Sequence, residues 1–363
     1  MHTEATADIV LFEGNYPAWP WITRDDAGRL YCVFREDGLS DRTDTGHGYS
    51  PVGRLLLLTS YDAGRTWSPP TVVADNEGLD DVGVGITVLA DGDLLVSYYS
   101  RYGPSGSRSQ AWVTRSRDGG DTWAPSVPTS DQDTRARAAA LLLTNGMLLA
   151  PIYRSMFSDE GHQSIAAVST DDGRTWENYL VPNTPENEAN EWAVLEVEPG
   201  RILGLHRDEG TDTGGYFWKT ESGDWGRSWT EPVRTNVRDA GASSPPQLDR
   251  HGQRVVLTYA DRRMVSVAMV STEDPDYVCW DLDDRVACFQ YRTDGKAIAD
   301  ASYPCSVAVG PRLRLVVDYE IESRITPSAD QSIDYELARE RKQITGHFVV
   351  TPAAWGDDPL GHR

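Results

Sequence analysis

Ser60-Tyr61-Asp62-Ala63-Gly64-Arg65-Thr66-Trp67 is the stretch from which the rest of the chain can be read. It has the form S-x-D-x-G-x-[S/T]-W, and it returns as Ser116 to Trp123, Ser169 to Trp176 and Ser222 to Trp229. The aspartates fall at 62, 118, 171 and 224, in steps of 56, 53 and 53 residues. A period of about fifty identifies one repeated supersecondary unit, here the blade of a propeller. Within the pattern, Asp accepts backbone N–H bonds in a tight turn. Gly supplies a positive φ, and Trp anchors the turn through its large apolar area. These are fold tags and carry no chemistry. A fifth, degraded copy is read at Ser271 to Trp280, with Glu273 in the aspartate's place and no glycine.

A second repeat lies between the tags. Paired apolar runs flank a turn in Trp21–Arg35, Val82–Arg101, Ala138–Arg154, Trp192–Arg207, Pro245–Arg262 and Cys305–Glu320. Turns such as Asp91-Gly92 and Asn145-Gly146 between apolar runs signal hairpins. Six hairpins imply an all-β, six-bladed propeller of four-stranded antiparallel blades. Each hairpin supplies the two inner strands, the next apolar run the third, and the segment after the tag the fourth. Ile9–Phe12 and Ile344–Thr351 are expected to complete or close the ring, and the charged stretch 323–345 to hold a short helix. No linker rich in Pro, Gly or Ser interrupts the chain, so residues 1–363 are read as a single propeller domain.

The 363 residues carry a formal charge of −22. That field disfavours nucleic acid and anionic membrane surfaces as partners, and an anionic substrate needs a local cationic pocket. No stretch has the length of a membrane span. No basic and apolar leader follows Met1, so no secretory signal is read and a cytoplasmic location is expected. Cys32, Cys279, Cys288 and Cys305 form no metal-binding spacing. Reduced thiols are expected, although a Cys279–Cys288 bridge stays open. No phosphate loop or dinucleotide fingerprint appears, and Gly83-Val84-Gly85 is weak as a nucleotide signal. No cofactor and no metal are assigned, with a loop calcium left open in so acidic a chain. The oligomeric state is unassigned.

Strand parity locates the functional face. The residue before the first strand of each hairpin and the residue after the second share one face of the disc, and the tags lie on the other. The hairpins end in Arg35, Arg101, Arg154, Arg207, Arg262 (followed by Arg263) and Glu320. A ring of guanidinium forks makes a carboxylate-binding well in an acidic protein. The plainer alternative is a solvated rim of arginines bridged to Asp and Glu. The hairpins begin near Tyr16, Asp80 and Asp81, Arg135 and Arg137, Asn190 and Glu191, Ser243 and Ser244, and Tyr303. The loop after Arg35 holds Asp41, Asp44 and His47, candidates for an acid or base.

The tags resemble the Asp boxes of the sialidase superfamily, whose members are six-bladed propellers. Asn190-Glu191, Gly200-Arg201 and Arg207 resemble that family's fourth-blade hairpin, in which a Glu precedes the first strand and a carboxylate-binding Arg ends the second. Tyr303 and Glu320 resemble its sixth-blade hairpin, with a nucleophilic Tyr and an Arg-supporting Glu. Arg262 or Arg263 stands where a further arginine of the triad is expected. Ala18 stands where the family has a first-blade arginine, and the acid/base position falls nearest His47, with Asp44 just upstream. The resemblance implies exo-hydrolysis of a terminal, acidic sugar from a glycan or glycoside. Tyr303 attacks, Glu191 takes its proton and Asp44 or His47 protonates the leaving oxygen. Arg35, Arg101, Arg154, Arg207, Arg262, Arg263, Asp81 and Glu320 are the substrate-binding candidates. Two other readings fit the same face. One is another specificity, such as a rhamnosidase or a uronate lyase using His47 and Tyr303; the other is a glycan-binding propeller without catalysis.

Overall fold

The computed structural model describes residues 6–37, 50–131, 133–154, 161–183, 189–208, 215–238, 245–261, 266–290, 297–301, 303–323, 326–327, 333–334 and 342–358. Six antiparallel sheets form the blades of a propeller. Blade I is Ala18–Arg24, Leu30–Asp37, Gly53–Ser60 and Thr71–Ala74. Blade II is Asp80–Val88, Leu94–Tyr102, Arg108–Ser116 and Val127–Pro128. In blade III the first strand is broken into Thr134–Ala136 and Leu141–Leu142, followed by Leu148–Arg154, Gln163–Ser169 and Glu177–Leu180. Blade IV is Ala189–Glu198, Arg201–Asp208, Tyr216–Ser222 and Val233–Arg238. Blade V is Gln247–His251, Arg254–Asp261, Ser266–Thr272 and Asp281–Gln290.

Blade VI closes the ring. Ala297–Ala301 and Cys305–Gly310 both pair with Leu313–Ser323, which pairs with Lys342–Val350. The outermost strand is Thr6–Glu13, set against Lys342–Val350 with Ile9 opposite Gly346 and Thr6 opposite Phe348. The two terminal segments therefore complete one sheet, as their apolar character implied. Among the described residues of 323–345 there is no helix, only the short pair Thr326–Pro327 with Ile333–Asp334.

Strand composition follows position. Leu30–Asp37 and Leu148–Arg154 are buried along their whole length because neighbouring blades cover both faces. Up to their charged ends, at Arg35 and Arg154, these strands read as continuous apolar runs. Thr71–Ala74 and Glu177–Leu180 lie at the rim, the former half exposed and the latter mostly exposed.

The tags work as their chemistry predicts. Ser60 Oγ donates to Asp62 Oδ1 (2.9 Å) and accepts from Gly64 N–H (2.9 Å). Asp62 also accepts from Thr66 N–H (2.8 Å) and from the Thr66 hydroxyl (2.6 Å), and Trp67 Nε1 donates to the Gly64 carbonyl (3.1 Å). The same hydroxyl and amide bonds hold the carboxyls of Asp62, Asp118 and Asp171 down to about 2. The glycines of the first, second and fourth tags also press each turn against the blade before it. A methyl group on Gly120, whose φ is +100°, would stand 2.3 Å from Leu57 of blade I, and one on Gly64 would stand 2.5 Å from Leu315 of blade VI. The fifth copy is shifted by one residue from the sequence reading. Asp274, next to Glu273, makes the turn, accepting from Val278 N–H (3.1 Å) and Cys279 N–H (2.7 Å), with Thr272 Oγ1 accepting from Asp274 N–H (2.9 Å).

Cys32, Cys288 and Cys305 are buried, Cys279 is exposed, and all four are free thiols.

Candidate active site

The innermost strands deliver the site, and their irregularities aim it. Register shifts occur between Ala18 and Trp21 in blade I, Val82 and Gly85 in blade II, and Ala189 and Trp192 in blade IV. Extra residues of this kind re-aim side chains. Tyr16 (φ 51°) and Trp19 (φ 55°) adopt the left-handed region, which bulky side chains rarely occupy. Strain of this kind gathers at functional sites. Blade III's break has a visible cause in blade II. A methyl group on Gly85 would lie 2.1 Å from Ala139 N and 2.3 Å from its Cα, and one on Gly83 would lie 2.5 Å from the Ala136 carbonyl. Gly83-Val84-Gly85 is thus a close-approach surface for the neighbouring blade. Ser97 Oγ donates to the Ala138 carbonyl across the same interface (2.8 Å). Gly85→Ala meets backbone that cannot yield, and is expected to destabilise the protein by about 1–3 kcal/mol, read as a lower urea midpoint.

Glu191 and Arg207 owe their direction to strand alternation. Trp192 and His206 oppose each other in register and stack, with ring centroids 4.8 Å apart and planes 6° apart. Both are buried, so their neighbours Glu191 and Arg207 turn the other way. His206 Nδ1 lies 3.1 Å from Ser164 Oγ and Nε2 lies 2.9 Å from Thr220 Oγ1. Burial pushes its pKa down to about 3. The unfolded chain binds this proton near pH 6.5. The contribution is therefore intact above that pH and is lost as pH falls toward 3. The stability gap between wild type and His206→Gln is expected to narrow between pH 7 and pH 5 in denaturant titrations. A constant gap would assign the pH dependence elsewhere.

At the centre, three predicted residues from two blades meet. Arg207 Nη1 is ion-paired with Glu191 Oε2. Tyr303 Oη lies 3.4 Å from both Glu191 carboxylate oxygens and 3.5 Å from Arg207 Nη1. Tyr303 is held through its backbone N–H, which donates to the buried Asp318 (3.0 Å). A fourth member, Arg137, was not among the sequence-derived site residues. Its Nε stands 3.0 Å from Glu191 Oε1, and its guanidinium lies over the rings of Trp19 (4.6 Å), Tyr303 (5.2 Å) and Tyr99 (5.3 Å). Its signal was its place at the start of a hairpin, shared with Arg135, whose Nε instead lies 3.4 Å from Ser109 Oγ. Trp19, Trp21, Val84, Arg137, Pro245 and Tyr303, from five of the six blades, line a small cleft.

Two of the expected arginines are engaged beside this centre. Arg35, 1% exposed, donates to Asp80 Oδ1 through Nε (3.1 Å) and Nη2 (2.9 Å). Arg101 Nε donates to Asp80 Oδ2 (2.9 Å). Both guanidinium groups are thus ion-paired at their strand ends, but in a desolvated setting and not on a solvated rim. Asp81, expected to face substrate, is fully buried and turned into the blade. It accepts from Asn76 N–H (2.9 Å) and the Ser100 hydroxyl (2.5 Å), and burial raises its pKa. Parity is the reason, since adjacent Asp80 takes the opposite side. Arg154 is buried opposite Thr134, and Glu320 accepts from Gln343 Nε2 (3.2 Å). Asp44, His47, Arg262 and Arg263 lie outside the described residues. Among the described residues no cluster of His, Cys, Asp and Glu is arranged to hold a metal.

A family profile described as a BNR repeat-like domain matches residues 55–310. No curated protein matches the sequence. A protein of unknown function from Dyadobacter fermentans DSM 18053 superposes with a TM-score of 0.76 at 19% identity, covering 96% of this chain and 99% of that one. A mutant of the NanB sialidase from Streptococcus pneumoniae gives 0.68 at 10% identity, covering 95% and 70%. An α-L-arabinanase from Penicillium chrysogenum complexed with arabinobiose gives 0.62 at 13% identity, covering 95% and 98%. At such identities the likeness is one of fold, and one fold hosts several chemistries. The profile match embraces all four tags and reaches from the third strand of blade I into blade VI, and the chain belongs to the BNR repeat-like domain family.

Proposed function

We propose that the protein is an exo-acting glycoside hydrolase that removes a terminal acidic sugar from a glycan, with Tyr303 as nucleophile and Glu191 as its base. The observation that carries this reading is the meeting of Tyr303, Glu191 and Arg207, with the Tyr303 hydroxyl 3.4 Å from Glu191 and 3.5 Å from Arg207, although they come from blades IV and VI. A phenol is a poor nucleophile and needs a base. The reference pKa values of Tyr and Glu differ by about 6 units, so proton transfer belongs with attack on the anomeric carbon and does not precede it. The arrangement favours that transfer. When the proton passes from Tyr303 to Glu191, negative charge moves from one neighbour of Arg207 to another, and the cation stabilises both states. The Tyr303–Glu191 contact must shorten from 3.4 Å to about 2.8 Å for the transfer.

Tyrosine suits a sugar whose anomeric carbon bears a carboxylate, which repels an anionic nucleophile, and sialidases depart from the two-carboxylate scheme in this way. Bond formation at Tyr303 Oη expels the leaving oxygen, to which Asp44 or His47 gives a proton. Water then cleaves the tyrosyl intermediate.

Fluorogenic umbelliferyl glycosides of sialic acid, glucuronic acid, rhamnose and arabinose test the proposal, with products identified by NMR. Release from an acidic glycoside with a saturated sugar product is the expected result. An unsaturated product absorbing in the ultraviolet would mark a lyase. Saturable binding without turnover on any glycan would mark a binding propeller.

A further inference from the structure

Arg137 stands out among the residues around the cleft. Its side chain is nine-tenths buried, yet Nε and Nη1 have no hydrogen-bond partner. Nε is close enough to Glu191 for ion pairing, at 3.0 Å, but out of line for a hydrogen bond. Buried donors without acceptors cost free energy, and native folds rarely keep them without a purpose. The aromatic surroundings define what remains available. The ring centroids of Trp19, Tyr303 and Tyr99 lie 4.6, 5.2 and 5.3 Å from the guanidinium carbon, and these ring faces satisfy its charge without accepting in-line hydrogen bonds from Nε and Nη1. A guanidinium presents its N–H donors in its own plane, as a fork that matches a carboxylate. Arg137 also lines the cleft together with Tyr303, so an anion held by it lies beside the reacting hydroxyl.

The blade of origin matters. The sequence resemblance places a carboxylate-binding arginine in blade I, where this chain has the fully buried Ala18. Trp19, in its strained conformation, fills the adjoining space and packs on Arg137. We propose that Arg137, contributed by blade III and backed by Trp19, anchors the acidic group of the substrate and so determines specificity. This rests on the axial cleft being the substrate site of the reading above.

Isothermal titration with N-acetylneuraminate and glucuronate, each compared with its methyl ester, tests it. Wild type is expected to bind at least one acid about tenfold to a hundredfold more tightly than its ester, the scale of charge-assisted hydrogen bonds. Arg137→Gln is expected to abolish that preference, and Arg137→Lys to keep part of it, since it keeps charge without the fork. Equal binding of acid and ester by wild type, no binding of either acid, or an undiminished preference in Arg137→Gln overturns the proposal. The wild-type comparison decides even if the variants fold poorly. Preference for the acid without turnover of any glycoside refutes hydrolysis and leaves the anchor standing. Turnover with no discrimination against the ester refutes the anchor and leaves hydrolysis standing.

Discussion

Tyr303→Phe is expected to lower kcat by about a thousandfold or more, the scale seen when a nucleophile is removed, while KM and thermal stability stay close to wild type. The ring of Tyr303 packs edge-on against Trp19 (6.3 Å) and lies below Arg137, and phenylalanine keeps both contacts. What is lost is the hydroxyl, whose neighbours are Glu191 at 3.4 Å and Arg207 at 3.5 Å. Those distances exceed the usual 2.5–3.0 Å of an O–H···O bond and 2.7–3.2 Å of an N–H···O bond, so its removal costs the fold little. Steady-state kinetics on the glycoside found by the substrate panel, with a melting curve of the variant, provide the check. Turnover at the wild-type rate would place the nucleophile elsewhere.

The second large effect concerns Glu191, which is 3% exposed and faces Arg137 and Arg207. Replacing it with Gln leaves two guanidinium groups against a neutral amide in a desolvated site. Breaking a buried pair in this way costs about 3–5 kcal/mol, against a total stability of about 5–15 kcal/mol for a typical protein. Glu191→Gln is therefore expected to shift the urea midpoint strongly and to abolish turnover. The double variant Glu191→Gln/Arg137→Gln should recover part of the stability, because one cation leaves with the anion, and none of the activity. A double variant no more stable than Glu191→Gln would show that the cost lies outside the Arg137 pair.

How far the sequence could be read depended on how local the physics is. The tags were legible because Ser60, Asp62, Gly64, Thr66 and Trp67 satisfy one another inside eight residues, and the turn repeats wherever the residues do. Glu191 and Arg207 lie on one hairpin, sixteen residues apart, and alternation suffices to put them together. Tyr303 joins them only because six blades close. Arg137 was beyond this kind of reading. Nothing in its neighbourhood separates it from Arg135, and the broken strand that carries it is shaped by Gly83 and Gly85 of another blade. The partnership of Arg35 with Asp80, forty-five residues away, was equally invisible. So was the choice between Asp80 and Asp81, where a single step of register sends one carboxylate to the arginines and the other into the blade.

The sheet that joins Thr6–Glu13 to Lys342–Val350 has a consequence for biogenesis. As the chain leaves the ribosome, blades I to V can form in order, each on the one before. Thr6–Glu13 has no partner until Lys342–Val350 appears, so it stays unpaired while blades I to V are made. Its unsatisfied edge is then a hazard for association with other nascent chains. The proposed site inherits the same timing. Tyr303 belongs to the blade completed last, so activity should arise in one step as the ring locks, with no partially active precursor.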